Sequence, residues 1–318
     1  MSYIRYVLRR GAFAVLSVYG VVTATFLLGN LTIRDEIENI LAQARYGGAS
    51  PAELSRLEER LIGRYGLDEP IPFRLVDWWV DVTTLDWGQS ISQHEPILVV
   101  LDGRVQTTLE YVIPGVVLAI LLGVFLGLFA ALAKDGVFDY SVRVVSYLFL
   151  GIPVFMLLIY IQYLEGWTIR LAGGWVLVLA ELNDLTVAAI AVALGLLAGQ
   201  IRFARASALE QTGQSFVKML RAKGAGRVRL ARHVLRNAAI PIISLSITEL
   251  LAVLVLNIYV IEDVLGIQGL AKVSLQAAVD SDVSLLIWAT MVIVFLGITA
   301  SFLQDVLYGY LDPRIRTG

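Results

Sequence analysis

The chain has 318 residues, of which 58% are hydrophobic and 16% are charged, and its mean hydropathy is +0.75. A soluble domain carries roughly 25% charged residues, so this composition excludes an ordinary water-soluble globular protein. The sequence contains no cysteine, which excludes disulfides, thiolate metal sites and cysteine nucleophiles. The net charge is −2, but the charges are unevenly distributed along the chain.

Six apolar segments predict six transmembrane helices, because each is close to the roughly 20 residues that cross a hydrocarbon core. In chain order they run from Val7 to Leu31, Leu109 to Ala133, Val142 to Leu164, Leu185 to about Ile201, Ala239 to Ile261 and Val283 to Tyr308. A secretory signal peptide also starts with basic residues, but its apolar core is only about 7–15 residues long and is followed by a small-residue cleavage site. We therefore expect the first helix to be an uncleaved span. The shorter apolar stretch Trp175 to Ala180 is expected in an outer loop.

Residues 32–106 are polar by comparison and acidic on balance, and we expect them to form a small folded insert. Within it, Ser50-Pro51-Ala52-Glu53 has a hydroxyl at the N-cap, proline at the first helical position and glutamate three residues after the cap. This pattern is a capping box and predicts the start of a helix. Trp78, Trp79 and Trp87 are typical of a segment at the membrane interface.

Basic residues predict the orientation of the six helices. The N-terminus, the Lys134–Arg143 turn, the basic 202–238 loop and the tail with Arg314 and Arg316 all fall on one side. By the positive-inside rule that side is cytoplasmic, so both termini are expected inside and the acidic insert outside. The predicted fold class is therefore an all-α polytopic membrane protein.

We divide the chain into a first transmembrane helix at 1–31, an extracellular insert at 32–106 and a five-helix core at 107–318. A cytoplasmic loop at 206–240 interrupts this core. Gly123 and Gly127 in the second predicted helix, and Gly195 and Gly199 in the fourth, are spaced four apart. Small residues at this spacing lie on one helix face, where they favour close packing inside the bundle.

The cytoplasmic loop contains a predicted short amphipathic helix. Ser215 can cap it, and its apolar residues Phe216, Met219 and Leu220 are expected on one face. Gly224 is placed to end the helix in a left-handed conformation. A short amphipathic helix of this kind is suited to docking in a partner's groove. The alternative is that the basic residues of the loop bind anionic lipid headgroups.

Short motifs occur in a consistent order along nearly the whole chain. They are Tyr6 with Arg9-Arg10, Tyr65–Pro70, Asp86–Ser90, Thr107–Glu110, Ile152–Phe155, Arg221–Gly224, Leu235–Ala238, Ile240-Pro241, Glu262 with Gly269-Leu270, and Leu311–Arg314. In this combination the chain resembles permeases of ABC importers, in the form found in the dipeptide/oligopeptide family. It departs from that pattern at Gln268, where the family usually has proline, and in a Gly224-to-Pro241 spacing about one residue shorter than usual.

The resemblance implies the type I ABC importer permease fold, in the plasma or inner membrane. It implies a second homologous permease subunit, two cytoplasmic ATP-binding subunits and an extracellular substrate-binding protein as partners, besides membrane lipid and with no nucleic acid. The residues that would contact the ATPase are Phe216, Met219, Leu220, Arg221, Ala222, Lys223 and Gly224. The sequence has no Gly-x-x-x-x-Gly-Lys-Ser/Thr phosphate loop, so ATP–Mg hydrolysis is expected on a partner. We expect this chain to be no enzyme and to hold no cofactor or metal of its own.

Glu249 lies inside the fifth predicted helix, and Asn257 follows two turns later. An ionisable group at membrane depth marks a candidate functional position, so both residues are candidates for the translocation path. The alternative is a protonated or hydrogen-bonded acid at a helix interface. Four acidic residues at the edges of predicted spans are expected to be solvated: Glu110, Glu165, Glu181 and Asp184.

The main alternative function is a secondary transporter or channel subunit that is not driven by ATP. Such proteins usually show intramembrane charge relays or repeated broken helices, for which Glu249 alone is weak support. An intramembrane enzyme and a purely structural membrane subunit are further alternatives. The sequence leaves the substrate open among peptides, nickel, sugars and glutathione.

Overall fold

The computed structural model describes residues 3–64, 66–164, 168–170, 176–178, 183–226, 228–238, 242 and 256–311. The described elements begin with α1 (Tyr3–Tyr46), α2 (Pro51–Arg64), α3 (Ile71–Thr84), α4 (Ile97–Leu132), α5 (Val137–Gly151) and α6 (Val154–Leu164). Two strands, β1 (Thr168–Arg170) and β2 (Val176–Val178), precede α7 (Asp184–Thr212) and α8 (Ser215–Ala222). Helical residues 228–238 form α9. The last elements are α10 (Ile258–Leu265), α11 (Leu270–Val279) and α12 (Val283–Leu311).

Four helices among the described residues are long and apolar enough to cross a membrane. They cover Tyr3–Leu31 of α1, all of α4, all of α7 and Val283–Tyr310 of α12. They correspond to the first, second, fourth and sixth predicted spans. Most of the fifth predicted span, Ala239 to Ile261, lies outside the described residues; at its end residues 256–257 form a wide helical turn that leads into α10.

The third predicted span, Val142 to Leu164, is not one continuous helix. The structure divides it into α5 and α6 at Ile152 and Pro153. Ile152 has an extended backbone with φ −98° and ψ 115°. Proline has no N–H to donate and disfavours helical geometry in the residue before it, which explains the break.

Helices α4 and α7 form the closely packed centre of the described bundle. A Cβ on Gly127 would lie 2.5 Å from the carbonyl oxygen of Ile201 and 2.8 Å from Cβ of Ala204, and one on Gly123 would overlap Gln200. The two glycines therefore let the α4 backbone approach α7, which confirms the predicted packing role for this pair. Gly195 and Gly199 of α7 are half-buried.

The insert begins as a continuation of α1, which runs beyond the predicted boundary at residue 31 to Tyr46. The predicted capping box is confirmed: the Ser50 N–H donates to Oε2 of Glu53 (2.8 Å), and the Glu53 N–H donates to Oγ of Ser50 (3.4 Å). Hydrogen bonds from the backbone and then the hydroxyl of Ser50 lower the pKa of Glu53. These bonds position the start of α2.

Aromatic stacking and one buried carboxylate hold the insert against the bundle. Trp288 of α12 is stacked between Trp78 (centroids 4.8 Å apart) and Trp87 (4.5 Å). Asp282, which is buried just before α12, accepts hydrogen bonds from the Ser90 hydroxyl (2.6 Å) and the Ser92 N–H (2.9 Å). The insert is thus fixed to the start of α12.

A small β-hairpin is an exception to the predicted all-α fold. Strands β1 and β2 pair antiparallel, with Thr168 opposite Val178. Strand β2 falls within Trp175–Ala180, the stretch expected in an outer loop. The hairpin connects the α6 side of the chain to α7 without adding a further helix among the described residues.

Candidate functional site

The candidate site begins where α7 ends. Asn183 caps the start of α7, with its Oδ1 accepting the Thr186 N–H at 2.8 Å. The helix continues to Thr212, well beyond the end predicted near Ile201. Residues 206–212, which were predicted to belong to the cytoplasmic loop, are therefore a direct extension of the α7 rod.

Helix α8 follows after a two-residue turn. It starts at Ser215, and the extended residue before it is Gln214 (φ −71°, ψ 154°), so the prediction that Ser215 is the N-cap is wrong. The predicted left-handed ending is confirmed, because Gly224 has φ +73°. The Ala225 N–H closes this end by donating to the Leu220 carbonyl at 3.0 Å.

The two faces of α8 differ from the predicted ones. Val217, which sequence reasoning missed, is fully buried, and Phe216 and Leu220 are half-buried beside it. Met219 points the other way and is 52% exposed, so the expectation that Phe216, Met219 and Leu220 share one face is wrong. The apolar spacing of 217 and 220 was the available signal for the inward face.

The inward face of α8 packs on the ends of three other helices. The buried cluster around Val217 draws on Leu128 and Ala131 of α4, Ala208 of α7, and Leu230, Ala231 and Val234 of α9. Because protein interiors are close-packed, a force applied to α8 is transmitted to these helices with little give. α8 is therefore mechanically connected to the central α4–α7 pair.

The outward face of α8 is exposed and positively charged. Its exposed residues are Lys218, Met219, Arg221, Ala222, Lys223 and Gly224. Arg221 lies in the last turn and Lys223 is the C-cap residue, so both complement the negative end of the helix dipole. Met219 offers an adaptable apolar contact, and the cations around it favour a partner surface that is acidic or polar.

An ion pair clamps α5 to α7 near the same ends. Arg205 donates two hydrogen bonds to the Asp139 carboxylate, at 2.6 and 2.8 Å, and the Asp139 side chain is fully buried. The hydrogen bonds from the Arg205 guanidinium lower the pKa of Asp139 in spite of its burial. Because the folded pKa is lowered, the pair stabilises the fold above the ordinary aspartate pKa, about 3.9, and this contribution is lost as the pH falls through the lower value.

A second polar site lies in the core, around Glu262 of α10. Its buried carboxylate accepts hydrogen bonds from the hydroxyls of Thr108 (2.6 Å) and Tyr111 (3.0 Å), both on α4, and from the Lys272 N–H (2.8 Å). Thr108 Oγ1 also accepts the Leu270 N–H at 2.8 Å. Side chains of α4 and α10 thus accept hydrogen bonds from the backbone N–H groups in the first turn of α11.

This arrangement explains the glycine that precedes α11. Gly269 is the N-cap residue and has no side chain with which to cap the helix, and a Cβ there would overlap the Glu262 carboxylate. The first N–H groups of a helix need partners from outside it, and the positive end of the dipole favours a carboxylate. In the sequence, Thr107–Glu110 and the motif of Glu262 with Gly269-Leu270 are separate; the structure brings them into contact.

The candidate path residues are only partly described. Asn257 is half-buried immediately before α10, whereas Glu249 lies outside the described residues. Glu110 and Asp184 are exposed, as predicted, and Glu165 and Glu181 lie outside the described residues. Within the described part of the chain, no group of three or more histidine, aspartate or glutamate side chains is arranged to hold a metal ion.

Comparison with known proteins identifies the family of this helical bundle. Residues 123–317, more than half of the chain, match the family model described as binding-protein-dependent transport system inner membrane component. The dipeptide transport system permease protein DppB of Bacillus subtilis (strain 168) is 27% identical over 82% of this chain and 84% of its own length. The oligopeptide transport system permease protein AppB of the same strain is 27% identical over 81% and 84%. A protein of Brucella abortus (strain 2308) aligns over 98% of both chains at 27% identity. The chain therefore belongs to the family of binding-protein-dependent transport system inner membrane components.

Proposed function

We propose that the chain is the transmembrane permease subunit of an ATP-driven ABC importer for dipeptides or oligopeptides, and that α8 couples it to a separate ATPase. The observation that carries this proposal is the two-sided character of α8. Its inner face is anchored by Val217 to α4, α7 and α9, and its outer face is exposed and basic. A helix with this character can receive movement from a cytoplasmic partner and transmit it to the spans. The names of the Bacillus subtilis relatives support peptides as the substrate.

The proposed topology has six spans with both termini in the cytoplasm. Four spans are the helices described above, and the other two are Val142 to Leu164, within α5 and α6, and the region from Ala239 to Ile261. The basic ends at the N-terminus, at the Lys134–Arg143 turn and around α8 support this orientation. Helix α8 then faces the cytoplasm, while α2, α3 and the hairpin lie outside.

The proposed assembly contains a second homologous permease, two ATP-binding subunits that hold ATP–Mg, and an extracellular substrate-binding protein. Each permease would form half of the translocation path. The absence of a phosphate-loop motif from the sequence supports hydrolysis on a separate chain. This permease would then contribute geometry and coupling to transport, with the bond-breaking chemistry on its partner.

Ala222→Trp is expected to lower ATP-dependent uptake about tenfold or more. The side chain at 222 is exposed, so the fold tolerates the added bulk, but the bulk displaces an ATPase that docks on the outer face of α8. Loss of one well-packed interface contact costs about 1–2 kcal/mol, which corresponds to a change of this size. The measurement is uptake of a radiolabelled dipeptide into proteoliposomes that contain the assembled complex, together with ATPase recovery in the same preparation.

Lys134→Trp is the matched control, because it adds the same bulk to an exposed residue of the α4–α5 turn on the proposed cytoplasmic side. Normal uptake by an assembled Ala222→Trp complex would remove α8 from the coupling role. Dipeptide uptake by the purified chain without any ATPase would favour a secondary transporter or channel instead.

Glu249 and Asn257 are the proposed residues of the translocation path, and Glu249 is the candidate contact for a substrate amino group. Glu249→Gln is expected to reduce uptake of cationic peptides more than uptake of neutral ones, because the amide lacks the charge that pairs with an ammonium group. Uptake of a lysine-containing and an alanine-only dipeptide by the same proteoliposomes measures the difference. Equal uptake of both peptides at the wild-type rate would exclude the substrate contact.

A further inference from the structure

A groove of about 600 Å³ runs between α1 and α12, the first and last membrane-spanning helices of the chain. Most of its wall is apolar and is formed by Phe13, Ile293, Val294, Ile298 and Phe302. The polar groups that define one end belong to Arg10 and Asp305. The groove is therefore mainly apolar, with a charged mouth formed by Arg10 and Asp305.

The two helices are held together on both sides of this groove. Near the N-terminus of α1, the Tyr3 hydroxyl donates to the Val306 carbonyl at 3.2 Å, and the Tyr6 ring fills the space beside Gly309. Toward the other end, Gly29 lies against Ile287, where a Cβ would be 3.7 Å from the isoleucine methyl. Because contacts at both ends of the groove fix the distance between α1 and α12, the groove results from the way these two helices pack.

The charged mouth carries more positive than negative charge. Arg10 pairs with Asp305 at 3.2 Å, and both side chains stay partly exposed, at 42% and 28%. Arg9 is exposed one residue earlier, and its guanidinium lies 5.8 Å from the centroid of the Phe13 ring that lines the groove. One guanidinium, that of Arg10, thus lies at the mouth paired with Asp305, and a second, that of Arg9, lies against a ring that lines the groove.

We propose that this groove is a binding site for an anionic phospholipid, with one acyl chain between α1 and α12 and the phosphate bound by Arg9 and Arg10. In a bilayer an acyl chain matches the mainly apolar wall of the groove, in which Ser17 and Ser301 are the polar residues away from the charged mouth. Arginine binds phosphate oxygens with paired, charge-assisted hydrogen bonds. Basic pockets between transmembrane helices at the cytoplasmic side are suited to acidic headgroups, and the proposed topology puts the N-terminal arginines on that side.

The phospholipid would compete with Asp305 for Arg10. A phosphate at the mouth gives the guanidinium a second anionic partner, so an occupied site weakens the Arg10–Asp305 pair that ties α1 to α12. Removing the Asp305 charge is therefore expected to strengthen lipid binding. This dependence distinguishes a phosphate site from general coverage of an apolar helix face by lipid.

Native mass spectrometry of the full complex, loaded with equal amounts of dioleoyl-phosphatidylglycerol and dioleoyl-phosphatidylcholine, tests the proposal. Wild-type protein is expected to retain phosphatidylglycerol in preference to phosphatidylcholine. The double variant Arg9→Gln/Arg10→Gln should lose about tenfold of that retention, an energy change of about 1.4 kcal/mol, and leave the choline lipid unchanged. The Asp305→Asn variant should retain more phosphatidylglycerol than the wild type. The Ala14→Leu variant, which adds bulk in the groove, should retain less of both lipids.

The matched control is Arg232→Gln/Arg236→Gln, which removes two exposed cations from α9 on the same side of the protein. It should bind both lipids as the wild type does. Equal retention of the two lipids by wild-type protein, or unchanged retention in the Arg9/Arg10 variant, overturns the site. Lower recovery of the partner permease in that variant, with lipid unchanged, would show that a protein covers the groove. None of these measurements depends on ATP or peptide, so their result is independent of the coupling role.

Discussion

Glu262→Ala is expected to prevent normal accumulation of the protein in the membrane. The substitution leaves the buried hydroxyls of Thr108 and Tyr111 and the Lys272 N–H without their acceptor. Each buried donor left unpaired costs about 1–3 kcal/mol, against a total stability of about 5–15 kcal/mol for a typical domain. The protein level in isolated membranes and the thermal unfolding midpoint of the purified complex measure the loss.

The adjacent acid provides a matched control. Asp263 pairs with Lys272 at the surface, where its side chain is 59% exposed, so Asp263→Ala should change the stability by at most about 1 kcal/mol. Glu262→Gln keeps one acceptor oxygen and should give an intermediate result. If Glu262→Ala accumulated and melted like the Asp263 variant, the carboxylate would not be holding α4, α10 and α11 together.

Gly127→Leu is expected to separate α4 from α7 and to be nearly as damaging. The new Cβ would meet the Ile201 carbonyl oxygen at 2.5 Å, and backbone cannot move aside as the end of a flexible side chain can. Overpacking typically costs about 1–3 kcal/mol, and the displaced helices also form the support of α8. We expect low membrane levels, a lower unfolding midpoint and poor recovery of partner subunits.

Gly103→Leu is the control for this substitution, because Gly103 lies on the same helix and a Cβ there would have nothing within 4 Å. It should leave the three measured quantities at wild-type values. Equal damage from the two leucines would attribute the effect to α4 itself, and equal tolerance of both would show that α4 and α7 do not need their close approach.

The membrane-spanning framework could be predicted because it depends on local composition. The long apolar segments gave α1, α4, α7 and α12, since twenty apolar residues in a row leave few other structures. The capping box before α2 and the left-handed Gly224 were also predictable, because each depends on residues only a few positions apart. The proline break at Ile152 was readable in the same local way, but the apolar run around it suggested a continuous helix.

The parts that sequence analysis missed depend on distant contacts. Val217 looked like any other apolar residue of α8 until α4, α7 and α9 showed which face is inward. Glu262 is separated from Thr108 by 154 positions, and no local pattern indicates that one caps a helix together with the other. The exposed face of α8 became visible only when its buried face was known.

The length of helix α1 determines how far the protein extends beyond the bilayer. Its 44 residues form a rod about 66 Å long, whereas a bilayer with its headgroups is about 40–45 Å thick. About 20 Å of the rod therefore projects past the lipid surface, and α2 is attached at its tip. A protein that approaches from this side therefore contacts the end of α1 and α2 before it reaches the bilayer.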